Sequence, residues 1–79
     1  MSNPLDISKY MSEYIINRVH ALRKELDARQ EDLAEAVGVT RQTIIAIEKG
    51  NYTPSVLLAL KIAKYFKKPV EEIFVYYEK

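Results

Sequence analysis

The chain has 79 residues, enough for one small domain that buries only a little over half of its unfolded surface. It has no cysteine and a single histidine, which excludes disulfides, thiolate zinc sites, a cysteine nucleophile and a histidine metal cluster. No apolar run approaches the roughly 20 residues of a bilayer span, and the opening "MSNPLDISKY" lacks the basic and apolar regions of a leader, so a cytoplasmic protein is expected. The net charge of +1 hides an asymmetry: residues 17–68 carry ten basic and six acidic side chains, and the flanks carry two and five, a balance that permits a polyanionic partner without requiring one.

Turn signals cut the chain into short helical pieces. Met11, Ile15, Val19, Leu22 and Leu26 follow helical spacing and predict a first helix over residues 9–26. A short helix from Gln30 to Val37 ends at Gly38, a residue suited to the left-handed position after a helix. Thr40 is a good N-cap for the segment that follows, Arg41 to Lys49, which Gly50 closes. Thr53 with Pro54 predicts the start of a fourth helix, running to about Lys67 before Pro69. A last helical turn spans Val70 to Phe74, and the end "FVYYEK" is β-prone and apolar. The fold class is therefore all-α: a compact five-helix domain whose C-terminal end is either a short strand or an extended arm. Leu22, Leu33, Val37, Val39, Ile44, Ile47, Ala59, Ile62 and Ala63 are the expected core.

Gln30 to Lys49 form one unit. Two helices flank the turn "VGVT"; Ala34 is small enough for a close helix crossing, and Gly38 accepts positive φ without steric cost. Val39, Ile44 and Ile47 then face inward, while the first turn after Thr40 carries Arg, Gln and Thr. Such a helix buries its second half and leaves its polar first turn outside, the grammar of a helix-turn-helix.

The segments "LRKE", "QEDLAEAVGV", "TRQTIIAIEKG", "TPS" and "ALKIAKYF" occur in an order that closely resembles the phage repressor and Cro family of small helix-turn-helix DNA-binding regulators, from about Asn17 to Phe74. The resemblance implies double-stranded DNA as partner, with the second helix of the motif in the major groove. It implies base contacts by Arg41, Gln42, Thr43 and Ala46: Arg can fork onto guanine, Gln onto adenine, and Thr or Ala can meet a thymine methyl. It implies phosphate contacts by Gln30, Lys49, Asn51 and Tyr52. It also implies an ion pair, Arg23 with Glu48, that orients the recognition helix. The chain departs from the family at Asp27, Ala28 and Arg29, where a Gly, an apolar residue and Ser or Thr are usual. Asp27 must then end the first helix without glycine's freedom, and Arg29 cannot cap the next helix through a short side-chain oxygen; in exchange it adds a cation beside the phosphate site.

The expected organisation is an N-terminal extension over 1–16, a DNA-binding domain over 17–74 and a tail over 75–79. Leu57, Leu58, Tyr65, Ile73, Val75, Tyr76 and Tyr77 remain once the core is filled, and they are the expected surface of a homodimer, extended by Leu5, Ile7, Tyr10, Met11 and Tyr14. The leading function is a sequence-specific DNA-binding regulator, a repressor acting on a palindromic operator. The alternative is an antitoxin-like protein-interaction module on the same fold. No enzyme, metal or cofactor is expected, because the lone His20 has no cysteine or second histidine to work with.

Overall fold

The computed structural model describes residues 13–78. In chain order they form β1 (Glu13–Asn17), α1 (Val19–Glu25), α2 (Gln30–Val37), α3 (Arg41–Glu48), α4 (Val56–Phe66), α5 (Val70–Ile73) and β2 (Phe74–Glu78). Five helices are present as expected, but the fold is not purely all-α, since β1 and β2 pair as a two-stranded antiparallel sheet. Among the described residues no helix is long and apolar enough to cross a membrane.

The largest correction falls at the first helix. Helical spacing predicts a start near residue 9, yet Glu13–Asn17 is extended and α1 begins at Val19. Tyr14, Ile15 and Ile16 are aromatic or β-branched, types that fit a pleated ribbon. They find a partner in the equally β-prone tail, with Tyr14 opposite Tyr77, Ile15 opposite Tyr76 and Ile16 opposite Val75. The Tyr14 and Tyr77 rings stack at 5.7 Å on one face, and the Tyr76 hydroxyl donates to Glu13 Oε2 at 2.6 Å on the other. Met11, with Leu5, Ile7 and Tyr10, lies outside the described residues. Leu26, predicted on the helical stripe, is exposed instead.

Four helices end in the same way. The chain turns left-handed at Asp27, Gly38, Gly50 and Lys67. In each case the following N–H bonds back five residues: Ala28 to Arg23, Val39 to Ala34, Asn51 to Ala46 and Lys68 to Ala63, at 2.9–3.2 Å. This is the Schellman closure, which satisfies carbonyls the helix leaves open. Gly38 and Gly50 adopt the conformation freely, whereas Asp27 (φ 54°) and Lys67 (φ 57°) adopt it against their Cβ.

Helix starts divide similarly. Thr40 caps α3, accepting from the Thr43 N–H at 3.3 Å. For α4 the cap is Ser55, not Thr53: Ser55 Oγ accepts from the Leu58 N–H at 3.1 Å, and Pro54 precedes the cap rather than opening the helix. At α2 the Arg29 side chain caps nothing. Asp32 supplies the reverse arm, its Oδ2 accepting from the Arg29 backbone N–H at 2.8 Å.

All five helices contribute to one core: Val19 and Leu22 from α1, Leu33, Ala34 and Val37 from α2, Ile44 and Ile47 from α3, Leu58, Ile62, Ala63 and Phe66 from α4, and Ile73 from α5. Val39 packs against it half-buried, and Ala59 is half-buried. Each large side chain here contributes about 1.5–3 kcal/mol by leaving water. Leu58 and Ile73, expected at a dimer surface, belong to this core, with Ile73 fully enclosed.

Candidate nucleic-acid interface

α2 and α3 are joined by Gly38, Val39 and Thr40, and α3 lies across α2 with Ile44 and Ile47 held in the core. The opposite side of α3 carries Arg41 and Gln42, both exposed, with Thr43 and Ala46 half-buried beside them. Of the four expected base-contact residues, Arg41 leans toward α2, whereas Gln42, Thr43 and Ala46 line one groove beside α3.

That helix is also clamped at its C-terminal end. Arg23 and Glu48 form a forked pair, Nε to Oε2 at 2.8 Å and Nη2 to Oε1 at 3.2 Å. Their side chains are only 8% and 6% exposed, so the pair is largely desolvated. Arg23 Nη1 also donates to the Ala28 carbonyl at 2.9 Å, tying the same guanidinium to the α1–α2 turn. Burial alone would push the Glu48 carboxyl up, but hydrogen bonds from Arg23, then Gln30 and His20, outweigh it and hold the group below the usual carboxylate range. The Glu48 hydrogen bond in turn raises the Arg23 guanidinium above its usual value, against a smaller opposing effect of burial.

The clamp continues toward the exposed turn. Gln30 Nε2 donates to Glu48 Oε1 at 3.1 Å, and Gln30 Oε1 accepts from Arg41 Nε at 3.2 Å. The amide thus has its orientation set by a carboxylate on one side and a guanidinium on the other. Arg41 also lies 3.7 Å from Glu31, and Arg29 Nη2 lies 3.2 Å from Asp32 Oδ1. Both are exposed pairs and contribute little to stability. The Arg29 hydrogen bond holds the Asp32 carboxyl below its usual range.

Past α3, Lys49, Asn51 and Tyr52 are exposed in the loop. Tyr52 lines a shallow groove with Gln42, Thr43, Ala46, Val39 and Leu58.

Two contributors escaped sequence reasoning. His20, given no role by the sequence, is exposed but has Nδ1 at 3.0 Å from Arg23 Nη2 and 3.3 Å from Glu48 Oε1. With the ring proton on Nε2, Nδ1 accepts from Arg23; it donates to Glu48 only when it carries a proton. Asn17 donates from Nδ2 to the Ile47 carbonyl at 2.8 Å and accepts through Oδ1 from the Val19 N–H at 3.2 Å, so one side chain joins β1, the start of α1 and the end of α3. A lone Asn between two apolar runs carries no signal of this. At the expected dimer surface, Tyr65 and Val75 are half-buried and Tyr76 and Tyr77 exposed. The first turns of α4 also leave Val56 (77%), Leu57 (65%) and Leu60 (53%) exposed, of which only Leu57 was anticipated.

A tight α2–turn–α3 unit, with its second helix anchored inside and polar outside, is a helix-turn-helix. Comparison with known proteins gives the family: the helix-turn-helix model matches residues 19–73. The chain is 57% identical over 58 residues to the uncharacterized HTH-type transcriptional regulator YgzD of Bacillus subtilis, covering 73% of this chain and 88% of that one. It is 35% identical over 57 residues to the cryptic phage CTXphi transcriptional repressor RstR of Vibrio cholerae, covering 72% of this chain and 51% of RstR. The crystal structure of the restriction-modification controller protein C.AhdI from Aeromonas hydrophila superposes with a TM-score of 0.66 at 29% identity, covering 70% of this chain and 83% of that one. The chain belongs to the helix-turn-helix family of phage repressor and Cro type, a family of DNA-binding regulators and not of enzymes.

Proposed function

We propose that this regulator is a repressor that binds a palindromic operator as a homodimer, with residues 17–74 as the DNA-binding unit and the first turn of α3 in the major groove. The observation that carries the reading is the division of α3. Arg41 and Gln42 are exposed, with Arg41 oriented by Gln30, while Ile44, Ile47 and the buried Arg23–Glu48 pair fix the helix from behind. Arg41 reads guanine and Gln42 adenine, with Thr43 and Ala46 at a neighbouring base. Arg29, Gln30, Lys49, Asn51 and Tyr52 flank them as phosphate contacts. One such helix spans only a few base pairs, so a two-fold dimer with its recognition helices about 34 Å apart supplies the rest. The bare apolar turns of α4 and the ribbon tyrosines Tyr76 and Tyr77 support association through this side of the molecule.

Selection of bound duplexes from a random pool tests the proposal, because it reveals half-site and symmetry together. Arg41→Ala and Gln42→Ala should each relax preference at one half-site position, costing about 1–3 kcal/mol. Unchanged ratios of selected to random binding in both variants would place base reading elsewhere. A second reading, an antitoxin-like module that captures a protein, draws on the ribbon, each of whose strands has one open edge. Tight capture of a protein partner with no duplex enriched would select it.

A further inference from the structure

The groove beside the recognition turn is built differently from a phosphate contact. Gly50 turns left-handed, and the Asn51 N–H returns to the Ala46 carbonyl at 2.9 Å, folding the loop back along α3. The residue delivered by that fold is Tyr52, which shares one shallow concavity with Val39, Ala46 and Leu58 as well as Gln42 and Thr43. Four of those six residues are apolar or aromatic. The hydroxyl of Thr43, which also lines the groove, is engaged 3.1 Å from that of Thr40 in the N-cap. Tyr52 is 45% exposed, a ring partly seated and partly open. A phosphate gains little from such walls, since it seeks N–H donors and cations.

We infer that Tyr52 determines sequence specificity through its ring, by closing with Val39, Thr43 and Ala46 a seat for the 5-methyl group of a thymine next to the base read by Gln42. In the major groove the only apolar group that any base pair presents is this methyl, so an apolar recess continuous with the base-reading side chains has one fitting occupant there. The hydroxyl remains free to meet a phosphate at the rim, which separates two roles in one side chain. The inference rests on α3 entering the major groove.

The probe is a duplex selected from a random pool, with each thymine of the half-site replaced in turn by deoxyuridine, which deletes only the methyl. One methyl buried against carbon is worth about 0.8 kcal/mol. Affinity should therefore fall about fourfold at one thymine per half-site and be unchanged at the others. Tyr52→Ala should abolish that fourfold difference, whereas Tyr52→Phe should keep it and, if the hydroxyl holds a phosphate, weaken all duplexes alike. The site is an exposed loop residue, and unchanged helical circular dichroism verifies that both variants are folded. A methyl effect at no thymine, or one that survives in Tyr52→Ala, overturns the inference while leaving DNA recognition by α3 standing. A pool that yields no enriched duplex instead overturns the proposed function, and the inference with it.

Discussion

The Arg23–Glu48 pair makes the sharpest quantitative expectation. Replacing Glu48 with Leu removes the acceptor for Arg23 Nε and Nη2 and for Gln30 Nε2. It leaves a guanidinium of 8% side-chain exposure with only the Ala28 carbonyl and His20 as partners. Breaking one side of a buried ion pair costs about 3–5 kcal/mol. A 79-residue domain has only about 4–12 kcal/mol in total at typical stability per residue. Urea unfolding at neutral pH should then show the midpoint falling by about 3 M or more at a slope near 1 kcal/mol per molar, leaving a weaker host barely folded. Arg23→Met should do the same, leaving the Glu48 carboxylate with no cation and only Gln30 and His20 as partners, and removing the donor to the Ala28 carbonyl. The double variant Arg23→Met/Glu48→Leu exchanges both charges for apolar groups and should recover most of the loss. It should not recover operator preference, because Gln30 has then lost the oxygen that sets its amide against Arg41. If either single variant costs less than about 1 kcal/mol, the pair is not desolvated as described. If the double variant costs as much as the two singles together, the two charges do not act on each other.

Other expectations are simpler. Lys49→Ala should weaken binding to all sequences and reduce the slope of log affinity against log salt by about one unit per half-site; an unchanged slope removes Lys49 from the phosphate contacts. Ending the chain after Phe74 deletes Val75 to Lys79 and leaves β1 without its partner. The truncated protein should keep its helical circular dichroism, sediment toward monomer and lose operator affinity far more than random-DNA affinity. A dimer that survives truncation assigns association to α4, with its exposed Val56, Leu57 and Leu60, or to the N-terminal extension. Lys67→Gly should raise stability by about 1 kcal/mol, since the residue already sits in the left-handed region at φ 57°. Thermal unfolding should register this as a rise of about 4–8 °C, and no rise would mean that the Lys67 side chain offsets the strain.

α2 and α3 were legible almost to the residue because their signals are local: a Thr cap, two glycines and apolar positions at helical spacing lie within a few residues of what they govern. β1 was not. Ile15, Val19, Leu22 and Leu26 satisfy a helical period, and nothing nearby reveals that Ile15 pairs with Tyr76 across the whole domain. Whether Tyr14–Ile16 is strand or helix depends on that distant tail, and spacing cannot weigh it. The cap of α4 failed more narrowly, since Thr53, Pro54 and Ser55 each suit a helix start and only backbone geometry picks Ser55. At the site, the Arg23–Glu48 pair came from resemblance, whereas His20 and Asn17 depend on tertiary placement alone. Leu58 and Ile73 went to the wrong surface because an apolar residue on a short helix reads the same whether it faces its own core or another chain.

Asn17 has a consequence for control. Its amide holds the end of α3 at Ile47, while the backbone N–H of its neighbour Arg18 donates to the Ile73 carbonyl at 2.8 Å, just before β2 begins. The ribbon and the reading helix therefore share a hinge pin, and Tyr52 stands against the same corner, in contact with a cavity lined by Ile15, Asn17 and Phe74. A molecule that grips the ribbon and shifts it is felt at α3 through this pin, with a ceiling set by what the pin is worth. A single hydrogen bond contributes about 1 kcal/mol net, so losing it would change DNA affinity by at most about fivefold. Thermodynamic reciprocity makes bound DNA alter the grip on the ribbon by the same factor. Control through this joint would tune occupancy of a half-filled site, whereas emptying a saturated one would require a larger change, such as separating the proposed dimer.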